Sequence, residues 1–112
     1  MKKSVHNKLV RNKIPTKLTE KGLGYETRIL DDTEYFGELL RKLIEESQEA
    51  CDTTDDEALL EELADVQQVI FAILAARGLN RLNLHVKRES KLETHGDFDD
   101  KIYLVSVTEH DQ

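Results

Sequence analysis

Apolar residues recur three and four apart along most of this chain. From about Glu34 to Cys51 they fall at Phe36, Leu39, Leu40, Leu43, Ile44 and Ala50. That spacing predicts a helix with this stripe as its core face. Asp31-Asp32-Thr33 ahead of it is a turn able to cap it. The polar stretch Asp52–Asp56 breaks the pattern. Thr54 and Glu57 then have capping-box spacing and open a second long helix, which runs to Arg77 and stops at Gly78. Its core stripe is expected at Leu59, Leu60, Leu63, Ile70 and Leu74. Asn80 is placed to cap a further helix over about Arg81–Thr94, with Leu82, Val86 and Leu92 as apolar positions and His95-Gly96-Asp97 as the stop. Near the start, Pro15 suits the first turn of a short helix capped by Asn12 and ended by Gly22 and Gly24. Tyr25–Leu30 and Lys101–Thr108 alternate instead, which predicts two strands that pair with each other. The expectation is a mainly α fold. It comprises about four helices and a small two-stranded sheet from residues near 25–30 and 101–108, in one domain over residues 1–112.

The second long helix carries a second stripe. With Leu59 at zero, Glu62 and Asp65 fall at about 300° and 240° around the helical wheel, beside Ala58, Val69, Ala72 and Ile73. Two acids thus interrupt an otherwise apolar sector. On the preceding helix Glu45, Glu46 and Glu49 share one side. An antiparallel hairpin would bring all five carboxylates together. Buried carboxylates need a raised pKa, a basic partner or a metal ion. An all-oxygen site suits a hard cation: Mg²⁺, Mn²⁺ or Ca²⁺.

Charge sharpens this picture. Residues 1–24 hold seven Lys and Arg against Glu20 alone, whereas residues 31–65 hold fourteen Asp and Glu against Arg41 and Lys42. A basic arm and an acidic hairpin can pair with each other or hold opposite ends of a metal-bound anion. The net charge of −7 argues against binding a nucleic acid polymer, whose phosphates need Lys and Arg. Cys51 is the single cysteine, so no internal disulfide forms, and it reads as a small half-buried residue at a helix end. The longest apolar run, Val69–Ala76, is far too short to span a bilayer, and no signal-peptide pattern opens the chain. No membrane partner and a cytoplasmic location are expected. Because Val69–Ala76 is apolar on every side, it needs cover all round, and a homodimer or homotetramer would supply it.

A Glu-Glu-x-x-Glu helix, a spacer of twelve residues and a Glu-x-x-Asp helix resemble the signature of the all-α nucleoside triphosphate pyrophosphohydrolases, the MazG-like enzymes and phosphoribosyl-ATP pyrophosphohydrolase among them. The opening His6-Asn7-Lys8-Leu9-Val10-Arg11-Asn12-Lys13-Ile14-Pro15 is similar to that of a small MazG-like subgroup, which usually has Asp at the place of Asn12. Lys91 and the turn His95-Gly96-Asp97-Phe98 resemble the same subgroup's lysine and Arg-Gly-Gly-Phe turn, with His95 and Asp97 as departures. The resemblance covers about residues 6–105. It implies Mg²⁺, with Mn²⁺ as a substitute, held by Glu46, Glu49, Glu62 and Asp65. It also implies Glu45 as the water-orienting base, and Lys91 as a catalytic and phosphate-binding cation. The expected reaction cleaves a nucleoside triphosphate between its α- and β-phosphates, giving monophosphate and pyrophosphate, as house-cleaning of non-canonical or excess nucleotides. Lys8, Arg11 and Lys13 are candidate substrate contacts; the competing reading has them neutralise the acidic hairpin.

Other readings stay open. The acids on the first helix alone would read as a solvated face. Lys91 and His95 read equally as surface residues, and Phe98 and Tyr103 as core. The same chemistry on phosphoribosyl-ATP is one alternative. A catalytically silent helical module that keeps the acids for metal or for a basic partner is another. A di-iron bundle wants Glu-x-x-His pairs, and no Glu here has His at the third position after it.

Overall fold

The computed structural model describes residues 2–111, and its secondary structure is all helical. Four helices follow in order: α1 (Ile14–Glu20), α2 (Asp32–Cys51), α3 (Asp56–Ala76) and α4 (Arg81–His95). The chain divides into two compact units, one up to Asn80 and one from Arg81 onward. No helix among the described residues is long and apolar enough to cross a membrane.

In the first unit α2 and α3 pack on each other. Only four residues join them, and so short a connection makes the pair an antiparallel hairpin. Arg77, just past the end of α3, stacks over the ring of Phe36 near the start of α2, 4.0 Å from its centroid. Asp31 caps α2, its carboxylate accepting from the Glu34 amide at 2.8 Å. Asp55 caps α3, accepting from the Ala58 amide at 2.8 Å. The cap is therefore Asp55 and not the expected Thr54. A carboxylate one residue further on satisfies an end amide and also complements the positive helix terminus. Similarly, α1 begins after Lys13, with no side-chain cap, in place of Asn12. Pro15 lacks an amide proton, so the first turn of so short a helix has one donor fewer to satisfy.

α1 and α3 end alike. In Lys21-Gly22-Leu23 and Arg77-Gly78-Leu79 the glycine takes a left-handed φ, +74° and +69°. The leucine amide then returns to a carbonyl of the last turn, Leu23 to Leu18 at 3.0 Å and Leu79 to Leu74 at 2.8 Å. This is the Schellman closure, which turns a leucine back onto the helix end.

The core lies between α2 and α3, and its facing differs from the expected one. Leu39 and Val69 are buried, and Phe36, Leu43, Ile70, Phe71 and Leu74 are half-buried. Leu40, Leu59 and Leu63 are exposed, with Ile44 at 71% and Leu60 at 70% exposure. So the expected leucine stripe of α3 faces outward over its first half. The sector that faces inward is the other one: Ala58, Glu62, Asp65, Val66 and Val69. The Val69–Ala76 run is half covered within this unit, so the uncovered apolar surface lies earlier on the hairpin. Cys51 is exposed and unpaired instead of half-buried.

No strand forms among the described residues, so the expected sheet is absent. Alternation specifies the two faces of an extended segment but not a partner, and a strand exists only through ladder hydrogen bonds. Residues 24–30 lack regular secondary structure and are tied to α2 by a side chain. Arg28 grips Glu34 through both guanidinium amines, at 2.9 and 3.4 Å, while Ile29 points to solvent. In the second unit α4 leads through Gly96 into a turn at 98–101 and a tail without regular secondary structure, and none of the unit's described residues is buried.

Candidate metal centre

The inward face of α3 meets the acidic side of α2 in the half of the hairpin nearer its loop. Helical spacing does the positioning: Glu46 and Glu49 lie three apart on α2, and Glu62 lies opposite on α3. Glu46, Glu49 and Glu62 each place a carboxylate oxygen within 4.8 Å of the others. Glu46 is the deepest, with 7% exposure. Its Oε1 receives Lys42 Nζ at 3.4 Å, but its Oε2 is buried with no hydrogen-bond partner. Glu62 Oε2 is in the same condition. Carboxylates only accept, so oxygens facing each other across this gap leave one another unsatisfied.

The electrostatic consequence falls on Glu62. Burial first, then the charge of Glu49, and then hydrogen bonds to Glu46 and Glu49 that only a protonated Glu62 can donate, push its carboxyl up to about 7. A proton is one way to supply the donor the cluster lacks. A divalent cation is the other, because a hard ion takes anionic oxygens and occupies their lone pairs at once. The donor set is all oxygen, two of its atoms are buried and unpartnered, and its geometry is built on two packed helices. These residues fit Mg²⁺ or Mn²⁺ on chemical grounds.

Of the four residues expected as ligands, Glu46, Glu49 and Glu62 come together. Asp65 follows one turn after Glu62, and its Oδ1 is taken by Arg11 Nη2 at 2.6 Å. Glu45 stands beside the cluster with its Oε1 between Lys8 Nζ at 3.3 Å and Lys42 Nζ at 3.9 Å. Thus two residues of the basic arm reach the acidic hairpin across 37 and 54 positions of sequence. Lys13, the third, makes no ion pair among the described residues. Lys91 belongs to the second unit. There it lines a cleft of about 410 Å³ with Arg88, Leu92, His95, Gly96, Asp97 and Phe98.

Sequence reasoning missed Lys42. Among the described residues it is the one ammonium that contacts both Glu45 and Glu46, and it is mostly covered, its side chain 19% exposed. The signal was present: Lys42 precedes Glu45 by three and Glu46 by four, the spacing of helical ion pairs.

Comparison with protein-family models, curated proteins and solved structures finds no match for this chain. The site's own geometry therefore carries the functional reading.

Proposed function

We propose that this chain is a Mg²⁺-dependent nucleoside triphosphate pyrophosphohydrolase of the MazG-like kind, cleaving between the α- and β-phosphates. One observation carries the proposal. The hairpin turns Glu46 and Glu62 inward while Leu40, Ile44, Leu60 and Leu63 stay exposed, and leaves Glu46 Oε2 and Glu62 Oε2 buried without partners. A chain folding for burial alone would do the reverse. The arrangement is reasonable if a cation completes the inner face and a second copy covers the outer one.

Glu46, Glu49 and Glu62 would hold the cation, with Asp65 a fourth ligand once its oxygen is free. Bound there, the metal would neutralise triphosphate charge and acidify a coordinated water. Glu45 is set to orient that water. Its charge is steadied by Lys42 from one turn before it on α2, so it keeps a fixed direction beside the cluster. Lys8 and Arg11, which reach Glu45 and Asp65, are proposed for the phosphates together with Lys13, and Lys91 of the second unit is a candidate phosphate cation. Phosphoryl transfer asks chiefly for positioning and charge stabilisation, which this set supplies without a covalent nucleophile. A homodimer or homotetramer through Leu40, Ile44, Leu60 and Leu63 belongs to the same reading. So does a cytoplasmic setting, where Cys51 stays reduced.

The test is pyrophosphate release from a panel of ribo- and deoxyribonucleoside triphosphates and phosphoribosyl-ATP, with Mg²⁺ or Mn²⁺. Glu49→Ala should lower turnover by about 10²-fold or more, as expected when a group stabilising transition-state charge is lost. No pyrophosphate from any of these substrates would remove the enzyme reading and leave a metal-binding helical module.

A further inference from the structure

The basic arm does more than lie near the acids. Arg11 holds the one expected ligand that stands outside the Glu46–Glu49–Glu62 cluster, and Lys8 holds the expected base. We propose that residues 8–11 form an exchange strap. Lys8 and Arg11 neutralise Glu45 and Asp65 in the metal-free protein. Arg11 gives up Asp65 when a divalent cation binds, and the released cations then take the triphosphate of the incoming nucleotide. The inference rests on the pyrophosphohydrolase reading and adds an order to it: metal before nucleotide.

Three features support the strap. First, the Arg11 guanidinium lies 2.6 Å from Asp65, one helical turn past Glu62, so its positive charge opposes a divalent cation held by the neighbouring Glu46, Glu49 and Glu62. Second, the Arg11–Asp65 pair is easily surrendered. Both side chains are substantially exposed, and exposed ion pairs are weakly held. Third, the exchange needs only side chains to swing. The arm's backbone is pinned on each side by half-buried Leu9 and Ile14, and the Ile14 amide bonds the Arg11 carbonyl at 3.0 Å. Lys8 and Arg11 are meanwhile exposed, so two cations are held by one short segment against the acidic hairpin. Lys42 also lies 3.9 Å from Glu45, so the base keeps a cationic neighbour when Lys8 departs.

Two titrations of the full-length chain test this. The first is calorimetry with Mg²⁺ alone on wild type, Arg11→Ala and Lys8→Ala. Removing the competitor should tighten Mg²⁺ binding by about two- to fivefold in Arg11→Ala, the range an exposed charge pair spans. It should tighten less in Lys8→Ala, where Lys42 still faces Glu45. The second is binding of a non-hydrolysable α,β-methylene triphosphate at saturating Mg²⁺, which should weaken in both variants. Trypsin should also cut after Arg11 faster with Mg²⁺ than without it.

Unchanged or weaker Mg²⁺ binding in Arg11→Ala overturns the exchange and reduces Arg11 to a plain phosphate contact. Tighter Mg²⁺ binding with unchanged analogue binding overturns the transfer to nucleotide. Absence of Mg²⁺ binding in wild type removes both the strap and the metal site. Exchange as expected, but with no pyrophosphate from any substrate, overturns the enzyme reading alone and marks the strap as a metal-sensing device.

Discussion

At the scale of single residues, the chemistry turns on carboxylates that lack donors. Glu62 has the consequence easiest to measure. Its carboxyl is raised from 4.5 to about 7 in the folded chain. Between those values the folded chain keeps a proton that the unfolded chain has lost. Glu62's contribution to stability is therefore full below pH 4.5, fades as pH rises, and is gone above about 7. In metal-free buffer, urea unfolding from pH 4.5 to 8 should show that part of the decline in wild type and not in Glu62→Gln. Added Mg²⁺ should stabilise wild type more at pH 8 than at pH 5. Parallel pH profiles for the two proteins would exclude Glu62 as the titrating group. A second residue prediction concerns Asp55. Its replacement by Ala removes the cap of α3 and should cost about 1 kcal/mol of stability while leaving the cluster's ligands in place.

At the scale of elements, most of what the residue pattern expresses is local and was readable. Helical period, polar breaks and glycine stops are set within a turn or two, so α2, α3 and α4 fall where the pattern puts them, within a few residues. Two things were not readable. Periodicity gives the angle between the two stripes of α3 but not which stripe meets α2. That choice is made by packing across the hairpin, which no local pattern encodes. Likewise the alternation of Tyr25–Leu30 could not reveal that Arg28 would bond Glu34 in place of a ladder. The convergence of Glu46, Glu49 and Glu62 was legible from spacing, whereas Arg11 on Asp65 was not, because nothing local links residues 54 apart. The Gly78 closure yields a test at this scale. An added Cβ meets nothing within 4 Å, so the cost of Gly78→Ala comes from its left-handed φ alone. It should lower stability by roughly 1–2 kcal/mol without changing the denaturant slope.

At the scale of the whole molecule, the outward leucine face calls for a partner. Leu40, Ile44, Leu60 and Leu63 form an apolar surface on one side of a two-helix hairpin whose own core is small. A second hairpin laid against it would make a four-helix bundle. Light scattering should give at least twice the 12.9 kDa chain mass for wild type. The double variant Ile44→Glu with Leu60→Glu should give the single-chain mass. Equal masses for the two would mean that this face does not join copies.

The two faces of α3 also make its length a kind of reading frame. Glu62 is useful only because it sits at a fixed angle from Val69 and at another from Leu60. One residue inserted between Leu60 and Glu62 would turn everything before it by about 100° relative to everything after it. The acids and the outward leucines could then no longer both face their own sides. The same insertion in the loop at 52–55 would leave each face intact. Lineages of this fold should therefore vary in the length of that loop and hold the spacing inside α3 constant, even where the residues themselves drift.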